Sequence, residues 1–282
     1  MMKKNSFWEW EITKKTPWLG ANFKELYSFR DLLIRLVRKE FLMYYQQTLL
    51  GPLWMVIQPI LTVLTYVLIF DKVIGLDTEG VPPFLYYLTG ITLWSLFSDI
   101  FLGTSGTFSQ NAHIFSKVYF PRIIAPIAIL LLHLLRFLIQ LLLLIVVLAW
   151  YYFTGKYHPD GNWLLSIPVI IMTAGVALGA GLIFSVFTAM YRDLMNLQQL
   201  LVRLLMFLCP IFYALAMVPA DKKWMVSLNP LSSFFEVFRY AFIGRGTVSL
   251  HELTYSAIWM VILLTIGVLL FNKRGDKLMD VI

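Results

Sequence analysis

The sequence predicts an all-α integral membrane protein with six transmembrane helices, an N-terminal amphipathic interface helix and a re-entrant hairpin. Of the 282 residues, 59% are hydrophobic and only 14% are charged, and the mean hydropathy is +0.75. Soluble domains have about a quarter of their residues charged, so the composition excludes that class. Six apolar runs approach the roughly 20 residues that a helix needs to cross a bilayer. Aromatic residues make up 16% of the chain, and many gather at the ends of these runs, as in membrane-interface belts.

The chain begins with a polar segment, residues 1–22, which has no apolar core of a signal peptide and is expected to stay in the cytoplasm. Residues 23–50 then predict an amphipathic interface helix, because at 100° per residue its apolar and charged residues separate. One side holds Leu26, Phe29, Leu33, Leu36 and Val37, and the other holds Lys24, Asp31, Arg35, Arg38 and Lys39. Such a helix lies along the membrane surface with its cations near anionic headgroups or an anionic ligand. A basic anchor without a ligand remains the alternative.

Six spans and one shorter run make up the transmembrane domain, residues 51–272, which a cytoplasmic tail, 273–282, follows. The spans are predicted at 53–70, 84–108, 123–153, 163–191, 200–218 and 255–271. A seventh apolar run, 230–244, is too short to cross and contains Glu236 and Arg239. A short polar run must bury its backbone in protein or stay at the interface, so we predict a re-entrant hairpin.

The distribution of Lys and Arg predicts the orientation of the spans. With the N-terminus inside, 15 of the 23 cations lie in cytoplasmic segments, six lie outside, and two lie within spans. Because cytoplasmic loops carry the excess of positive charge, both termini are expected in the cytoplasm.

Ionisable residues inside predicted spans are costly and are usually functional or paired. They are Asp99, His133, Arg136 and Arg203. His133, Arg136 and Gln140 share one face of the third span, so we expect them to point into the bundle and to meet Asp99 or Gln58. A structural polar pair and a substrate contact both remain open. Arg203 is near a span end, where its long side chain can instead reach the interface.

Several catalytic classes lack their motifs in this sequence, which predicts a chain that is not an enzyme. No G-x-x-x-x-G-K-[ST] loop is present, so the chain is expected to bind no cofactor itself, and any ATP and Mg belong to a partner. The four His are scattered and the single Cys209 stands alone, so no metal site is predicted. Gly103-Thr104-Ser105-Gly106 matches the G-x-S-G of intramembrane serine proteases, but close helix packing explains these small residues better, as it does Gly175, Gly179 and Gly181.

Five stretches form an ordered pattern along the chain. They are RDLLIRLVRKEFLMYYQQTLLGPLWMVIQP at 30–59, NAHIFSKVYFPRIIAP at 111–126, YRDL at 191–194, CPIFYA at 209–214 and NPLSSFFEVFRYA at 229–241. In this order, and placed against six spans, they resemble the membrane subunit of an ABC-2 type exporter of the O-antigen and polysaccharide permease family. The resemblance covers nearly the whole chain and implies the ABC-2 (type V exporter) fold, multi-pass in the bacterial inner membrane.

The resemblance also implies partners. Two copies of this chain would form a homodimer with two copies of a separate ABC ATPase, which would bind ATP and Mg. Lipid-linked polysaccharide would leave through a channel between the two copies. Membrane lipids would be further partners, and no nucleic acid is expected to bind. The hairpin would lie on the periplasmic side, near the outer mouth of this channel.

Roles for single residues follow from the same resemblance. The interval 111–122 corresponds to a coupling helix that docks in a groove of the ATPase, and the turn at 191–193 lies beside it. The coupling candidates are Asn111, Ser116, Lys117, Tyr119, Phe120, Pro121, Arg122, Arg192 and Asp193. We expect the aromatic pair Tyr119 and Phe120 to be exposed to the cytoplasm as apolar knobs. The interface helix corresponds to part of a lateral gate for a lipid pyrophosphate.

Residue chemistry adds candidates for substrate contact. Arg and Lys pair with phosphate, so the interface helix offers Arg30, Arg35, Arg38 and Lys39 for the pyrophosphate. Aromatic rings contact the apolar faces of sugars, and Pro59 and Pro210 can kink the first and fifth spans. The path candidates are therefore Trp54, Gln58, Tyr66, Phe212 and Tyr213. Simple anchoring or helix curvature explains the same residues, and an ABC-2 exporter of small hydrophobic molecules or an intramembrane hydrolase using Ser105 stay as rival functions.

Overall fold

A computed structural model describes residues 27–115, 120–191 and 193–278, and these residues form helices joined by turns, with no strand among them. The helices are α1 Arg30–Tyr45, α2 Trp54–Tyr66, α3 Pro83–Ser105, α4 Thr107–Phe115, α5 Ile124–Phe153, α6 Ser166–Met190, α7 Leu194–Leu208, α8 Lys223–Ser227, α9 Ser232–Ile243 and α10 Leu250–Leu278. A 3-10 turn, Gly51–Leu53, leads into α2, and a π-helical turn, Val67–Val73, continues it. The predicted segment 1–22 lies outside the described residues.

Within the described residues, five helical segments are long and apolar enough to cross a membrane. They are Gly51–Val73, Pro83–Ser105, Ile124–Phe153, Trp163–Met190 and Leu250–Arg274. These segments coincide with the first four predicted spans and the last one, with ends that differ by no more than five residues.

Helix α3 is the centre of the bundle. It begins at Pro83, where the missing proline N–H costs nothing in the first turn, and it packs against α2, α5, α6 and α9. Of its most apolar stretch 83% is buried, against 17% for the segment that contains α2 and 11% for α10. The first and last spans therefore leave wide apolar surfaces for lipid or for another chain.

Helices α6 and α10 form the most extensive helix pair of the described chain, and small residues allow it. A Cβ added to Gly179 would lie 2.6 Å from the backbone of Leu263, and one added to Gly267 would lie 2.5 Å from the carbonyl oxygen of Gly179. Because backbones can approach this closely only where side chains are missing, the prediction that Gly175 and Gly179 serve helix packing is confirmed.

The predicted fifth span, 200–218, is wrong as one continuous helix. Helix α7 begins earlier, at Leu194, and ends at Leu208, so its 15 residues are too few to cross a bilayer alone. Cys209 has an extended backbone, with φ −92° and ψ 146°. The residue before a proline is pushed out of the helical region by the proline ring, so Pro210 ends the helix. The chain then continues to a 3-10 turn, Leu215–Met217.

The predicted hairpin region contains α9, which is buried along nearly its whole length and packs against α3 and α6. It ends at Gly244, whose left-handed φ of 67° closes the helix at low cost because glycine has no Cβ. Tyr157, in the loop after α5, donates from its hydroxyl to the carbonyl of Ile243. The short helix is therefore surrounded by protein, so its backbone polar groups need not face lipid.

Candidate functional site

The coupling candidates lie between α3 and α5. Gly106 separates α3 from α4, and the Asn111 side chain donates to the Thr107 carbonyl at 3.0 Å, so Asn111 stabilises its own helix. Ser116, Lys117, Tyr119 and Arg192 lie outside the described residues. Asp193 is exposed just before α7, where a negative charge favours the helix N-terminus.

Phe120 differs from its prediction. The ring is only 6% exposed, so it is not the apolar knob on the surface that the sequence suggested. Pro121 is also buried and Arg122 is half-buried. Burying an aromatic ring removes a large apolar area from water, and the carbonyl of the next residue, Pro121, accepts from the N–H of Ile124 at the start of α5 at 3.0 Å. Phe120 and Pro121 thus support the start of α5 from inside the protomer.

The cations of α1 lie on its exposed face, as the sequence pattern requires. Arg35, Arg38 and Lys39 line a shallow groove of about 350 Å³ together with Leu42, Met43 and Gln46. Arg30 lies outside the groove, with its guanidinium 4.7 Å from the centre of the Tyr27 ring. The opposite, half-buried face of α1 packs on α5. The groove therefore combines positive charge with apolar lining, which suits an anionic head with a lipid tail.

The aromatic path candidates split into two groups. Trp54 and Gln58 are exposed on α2, whereas Tyr66 and Tyr213 are half-buried. Phe212 is only 4% exposed and lies inside a ring cluster, 4.9 Å from Tyr66 and 4.4 Å from Phe70 between centroids. Phe212 is therefore a core residue of the protomer, because its neighbours cover the ring, and its contact with a path stays a prediction.

Polar residues lie on exposed faces of α2 and α7, and the sequence had singled out only Gln58 and Arg203 among them. Thr65 and Gln58 are seven residues apart on α2, and the α7 residues with the same property follow the spacing i, i+3, i+7. They are Asn196, Gln199 and Arg203. This spacing, which places Asn196 and Gln199 on the same face of an apolar helix as Arg203, was the signal that could have found these two. We call these five residues the polar face.

Asp99, His133 and Arg136 meet as predicted, and a residue that was not predicted joins them. Nη1 of Arg136 lies 3.5 Å from Oδ2 of Asp99, and Nδ1 of His133 lies 3.8 Å from the same oxygen. The Arg136 guanidinium also lies 4.7 Å from the centre of the Tyr44 ring, at the end of α1. We call these four residues the Asp99 cluster. It joins α1, α3 and α5.

The Asp99 cluster leaves several buried polar atoms without a hydrogen-bond partner among the described residues. They are Nδ1 of His133, Nε of Arg136, Oε1 of the neighbouring Gln140 and the hydroxyl of Tyr45. A Cβ at Gly103 would lie 2.7 Å from Nε2 of His133, so the imidazole rests directly against α3. Burial raises the pKa of Tyr45, while the positive charge of Arg136 opposes that rise. The cluster is therefore close-packed but incompletely hydrogen-bonded.

A second buried charge cluster, which sequence reasoning noted only as polar residues in a short run, fixes α9. Nη1 of Arg239 lies 2.7 Å from Oε1 of Glu236, and both side chains are at most 3% exposed. Arg239 also donates to the Pro210 carbonyl, and its guanidinium lies 4.3 Å from the centre of the Tyr86 ring. The other oxygen of Glu236 accepts from the backbone N–H of Thr247 at 3.0 Å. We call these five residues the Glu236 cluster.

The Ser105 hydroxyl has a structural use. Its Oγ donates to the Leu102 carbonyl at 2.8 Å, and its own carbonyl accepts from Thr188 at 2.6 Å. A serine nucleophile instead needs its hydroxyl directed at a base. The geometry gives no support to the hydrolase alternative.

Residues 31–243 match the family described as ABC-2 type transporter. An O-antigen export system permease protein, RfbA, from Klebsiella pneumoniae is 29% identical over 253 residues, which cover 89% of this chain and 95% of the relative. A protein of the same name from Myxococcus xanthus is 27% identical, covering 90% and 96%. The polysialic acid transport protein KpsM of Escherichia coli is 25% identical, covering 82% and 88%.

Proposed function

Because the chain belongs to the ABC-2 type transporter family, we propose that it is the permease subunit of a bacterial inner-membrane exporter of lipid-linked polysaccharide. Members of this family are membrane subunits and not themselves catalytic. Relatives along nearly the whole chain are named for export of O-antigen and transport of polysialic acid, both carbohydrate polymers. The proposed cargo follows from these names together with the polar face.

The polar face is the observation that carries this function. Its residues are exposed on α2 and α7, whose remaining exposed residues are mostly apolar, such as Leu61, Leu64, Leu204 and Phe207. Amide and guanidinium groups are costly against lipid tails, and they are expected to face protein or a water-filled path. Two copies that place these faces opposite each other would enclose a polar path, with Trp54 of each copy as an aromatic platform.

A sixth span completes the proposed topology. Helix α7 alone is too short to cross, but the chain from Cys209 to the 3-10 turn extends it inside the protein, where non-helical backbone is tolerated. With six crossings, both termini lie in the cytoplasm, α1 lies along the inner interface, and α9 is a re-entrant segment near the outer mouth.

The energy source is proposed to be a separate ABC ATPase, present in two copies. The chain has no nucleotide-binding loop, so ATP and Mg would bind to that partner. The inner turns that would receive it are α4 with the segment up to Arg122, and the start of α7 with Asp193. Because Phe120 and Pro121 are buried, they would transmit force to α5, and the docking surface itself would be formed by the outward residues of α4.

The lipid end of the cargo is assigned to the α1 groove. Arg35, Arg38 and Lys39 can neutralise a pyrophosphate at the inner leaflet, while Leu42 and Met43 cover its first apolar carbons. The polymer would then pass between the two polar faces.

The decisive experiment reconstitutes the chain with its ATPase in liposomes and measures ATP-driven export of a pyrophosphate-linked glycan. Asn196→Leu and Arg203→Leu should each lower export by about tenfold, or slightly less for the neutral Asn196 and slightly more for the charged Arg203, the value of one hydrogen bond. Thr254→Val is the control, because the Thr254 hydroxyl is also exposed but lies on α10 and bonds its own helix at Leu250. The proposal would be overturned if the complex exported a hydrophobic dye and not the glycan, and if these substitutions left the export of the dye unchanged.

A further inference from the structure

The Asp99 cluster connects three helices to which we assign different roles. Helix α1 carries the cationic groove, while α3 and α5 flank the segment proposed to receive the ATPase. Within the described residues, α1 has no buried side chain, and α5 is the helix on which it mainly packs. The position of α1 therefore depends on its contacts with α5, and the Arg136 guanidinium over the Tyr44 ring is one that carries a charge.

We propose that Asp99, Arg136 and Tyr44 form a joint that ties the groove helix α1 to α3 and α5, so that movement at the coupling segment changes the position of the groove. Arg136 and Tyr44 act here as positioning residues and need not touch the cargo. The joint itself is independent of the proposed cargo. Its consequence for transport rests on the proposed function.

The connectivity of the chain supports this role. Asp99 lies six residues before the end of α3, and Arg136 lies twelve residues after the start of α5. At 1.5 Å per residue these distances are roughly 9 Å and 18 Å along stiff helices. The coupling segment is the direct covalent connection between those two ends. A displacement there acts on both partners of the ion pair at once, and Arg136 passes it to Tyr44.

The geometry of the cluster also suits a movable contact. The closest distance between the Arg136 guanidinium and Asp99 is 3.5 Å, longer than a charge-assisted hydrogen bond of about 2.8 Å. A cation over an aromatic face tolerates sliding, because the attraction depends on distance to the ring and not on one donor direction. The partnerless atoms of His133, Arg136 and Gln140 provide donors and acceptors that a second arrangement can use.

The end of α1 restricts where such movement can go. Gln47 has a left-handed φ of 61°, and the Thr48 hydroxyl donates to the Tyr45 carbonyl at 2.9 Å. The helix is thus closed by a tight turn before α2 begins. A shift of Tyr44 moves α1 as a unit, with the groove residues Arg38 and Lys39 about one to two turns away from it.

Amide hydrogen exchange of residues 30–45, in the permease alone in lipid nanodiscs, tests the joint. Tyr44→Leu removes the ring under Arg136, and exchange in α1 should rise roughly two- to thirtyfold, the range expected for one cation–π contact. Tyr44→Phe keeps the ring face and should restore the wild-type rate. Tyr27→Leu is the matched control, because it removes a cation–π contact of the same 4.7 Å distance that joins no second helix. Equal exchange in all variants at residues 38–45 would overturn the joint.

Transport then tests its consequence. In the complex with the ATPase, Tyr44→Leu should lower the amount of glycan exported per ATP hydrolysed while hydrolysis continues, and Tyr44→Phe should recover the ratio. A parallel loss of hydrolysis and export would indicate a merely structural role and overturn the coupling. If the wild type exports no glycan at all, the proposed function fails, while the exchange result still decides whether the joint exists.

Discussion

Among the described residues, α3 touches two charge clusters that are built in opposite ways, one almost fully buried and one partly exposed. Near one end Tyr86 covers Arg239 of the Glu236 cluster, and thirteen residues later Asp99 receives Arg136. The Glu236 pair is separated by 2.7 Å and its remaining oxygen accepts a backbone N–H, whereas the closest Asp99 contact is 3.5 Å. The charged pair of one cluster is closely hydrogen-bonded, and the other cluster is packed closely but its ion pair is longer.

This difference indicates two roles: the Glu236 cluster fixes its neighbours in place, whereas the Asp99 cluster is a contact that can move. The Glu236 cluster holds together three short or irregular parts of the chain: the short α9, the break at Pro210 and the loop at Thr247. Buried charges are tolerable only when their partners are near, and both oxygens of Glu236 have a partner within 3.0 Å, so this pair holds its neighbours in place. The Asp99 cluster joins three helices that already have their own backbone bonds, and it can change without unfolding any of them.

The largest effect is expected for Arg239→Met. This change leaves Glu236 buried at 2% exposure without its cation, and it removes the donor to the Pro210 carbonyl. Breaking a buried pair by removing one partner costs about 3–5 kcal/mol. Denaturant unfolding in mixed micelles should show this loss, together with faster exchange in α9.

The control for this prediction is the double variant Glu236→Leu with Arg239→Met. Because no unpaired charge stays buried, it should regain a large part of the lost stability. A single variant as stable as the wild type would show that the Glu236 cluster does not anchor α9.

A smaller loss is expected for Asp99→Asn. The Asp99 side chain is 31% exposed in the protomer, so solvent screens part of its attraction for Arg136. Arg136 also keeps the Tyr44 ring. We expect a loss of about 1–2 kcal/mol in the same unfolding measurement, with the increase in exchange concentrated in α1. A loss as large as that of Arg239→Met would make the two clusters equivalent and contradict the comparison.

The sequence predicted one cluster and not the other for physical reasons. Asp99, His133 and Arg136 stand out because a charge in an apolar run needs a partner, and helical spacing says which side it faces. Glu236 and Arg239 lie in a run already short and polar, so their burial depended on α3 and α6 closing around α9. Neither tyrosine partner could be predicted, because an aromatic ring suits a belt, a core or a cation equally well.

The predictions that failed share a cause. Apolar patterning located five of the six predicted spans. It extended the remaining one, 200–218, through Pro210, because hydropathy does not include the backbone restriction on the residue before a proline. Apolar patterning also led us to expect the rings of Phe120 and Phe212 to be exposed, because of the residues next to them in the sequence. Whether a ring is exposed depends on what folds over it, and for Phe212 these are rings from α2 and from the turn that continues it.

The smallest effect is expected for Tyr45→Phe, which tests how loose the Asp99 cluster is. The hydroxyl is buried without a hydrogen-bond partner among the described residues, and the ring, 5.2 Å from that of Phe41, would remain. Removing an unsatisfied polar group should leave α1 unchanged or more stable by up to about 1 kcal/mol. Because burial raises the pKa of Tyr45, the wild type should lose stability relative to Phe only above about pH 10, where an unfolded tyrosine ionises first. Thermal unfolding at pH 7 and pH 10.5 measures both effects. A clear loss at pH 7 would mean that the hydroxyl does hold a partner, which would make the Asp99 cluster more like the closely paired Glu236 cluster and weaken the case for a movable joint.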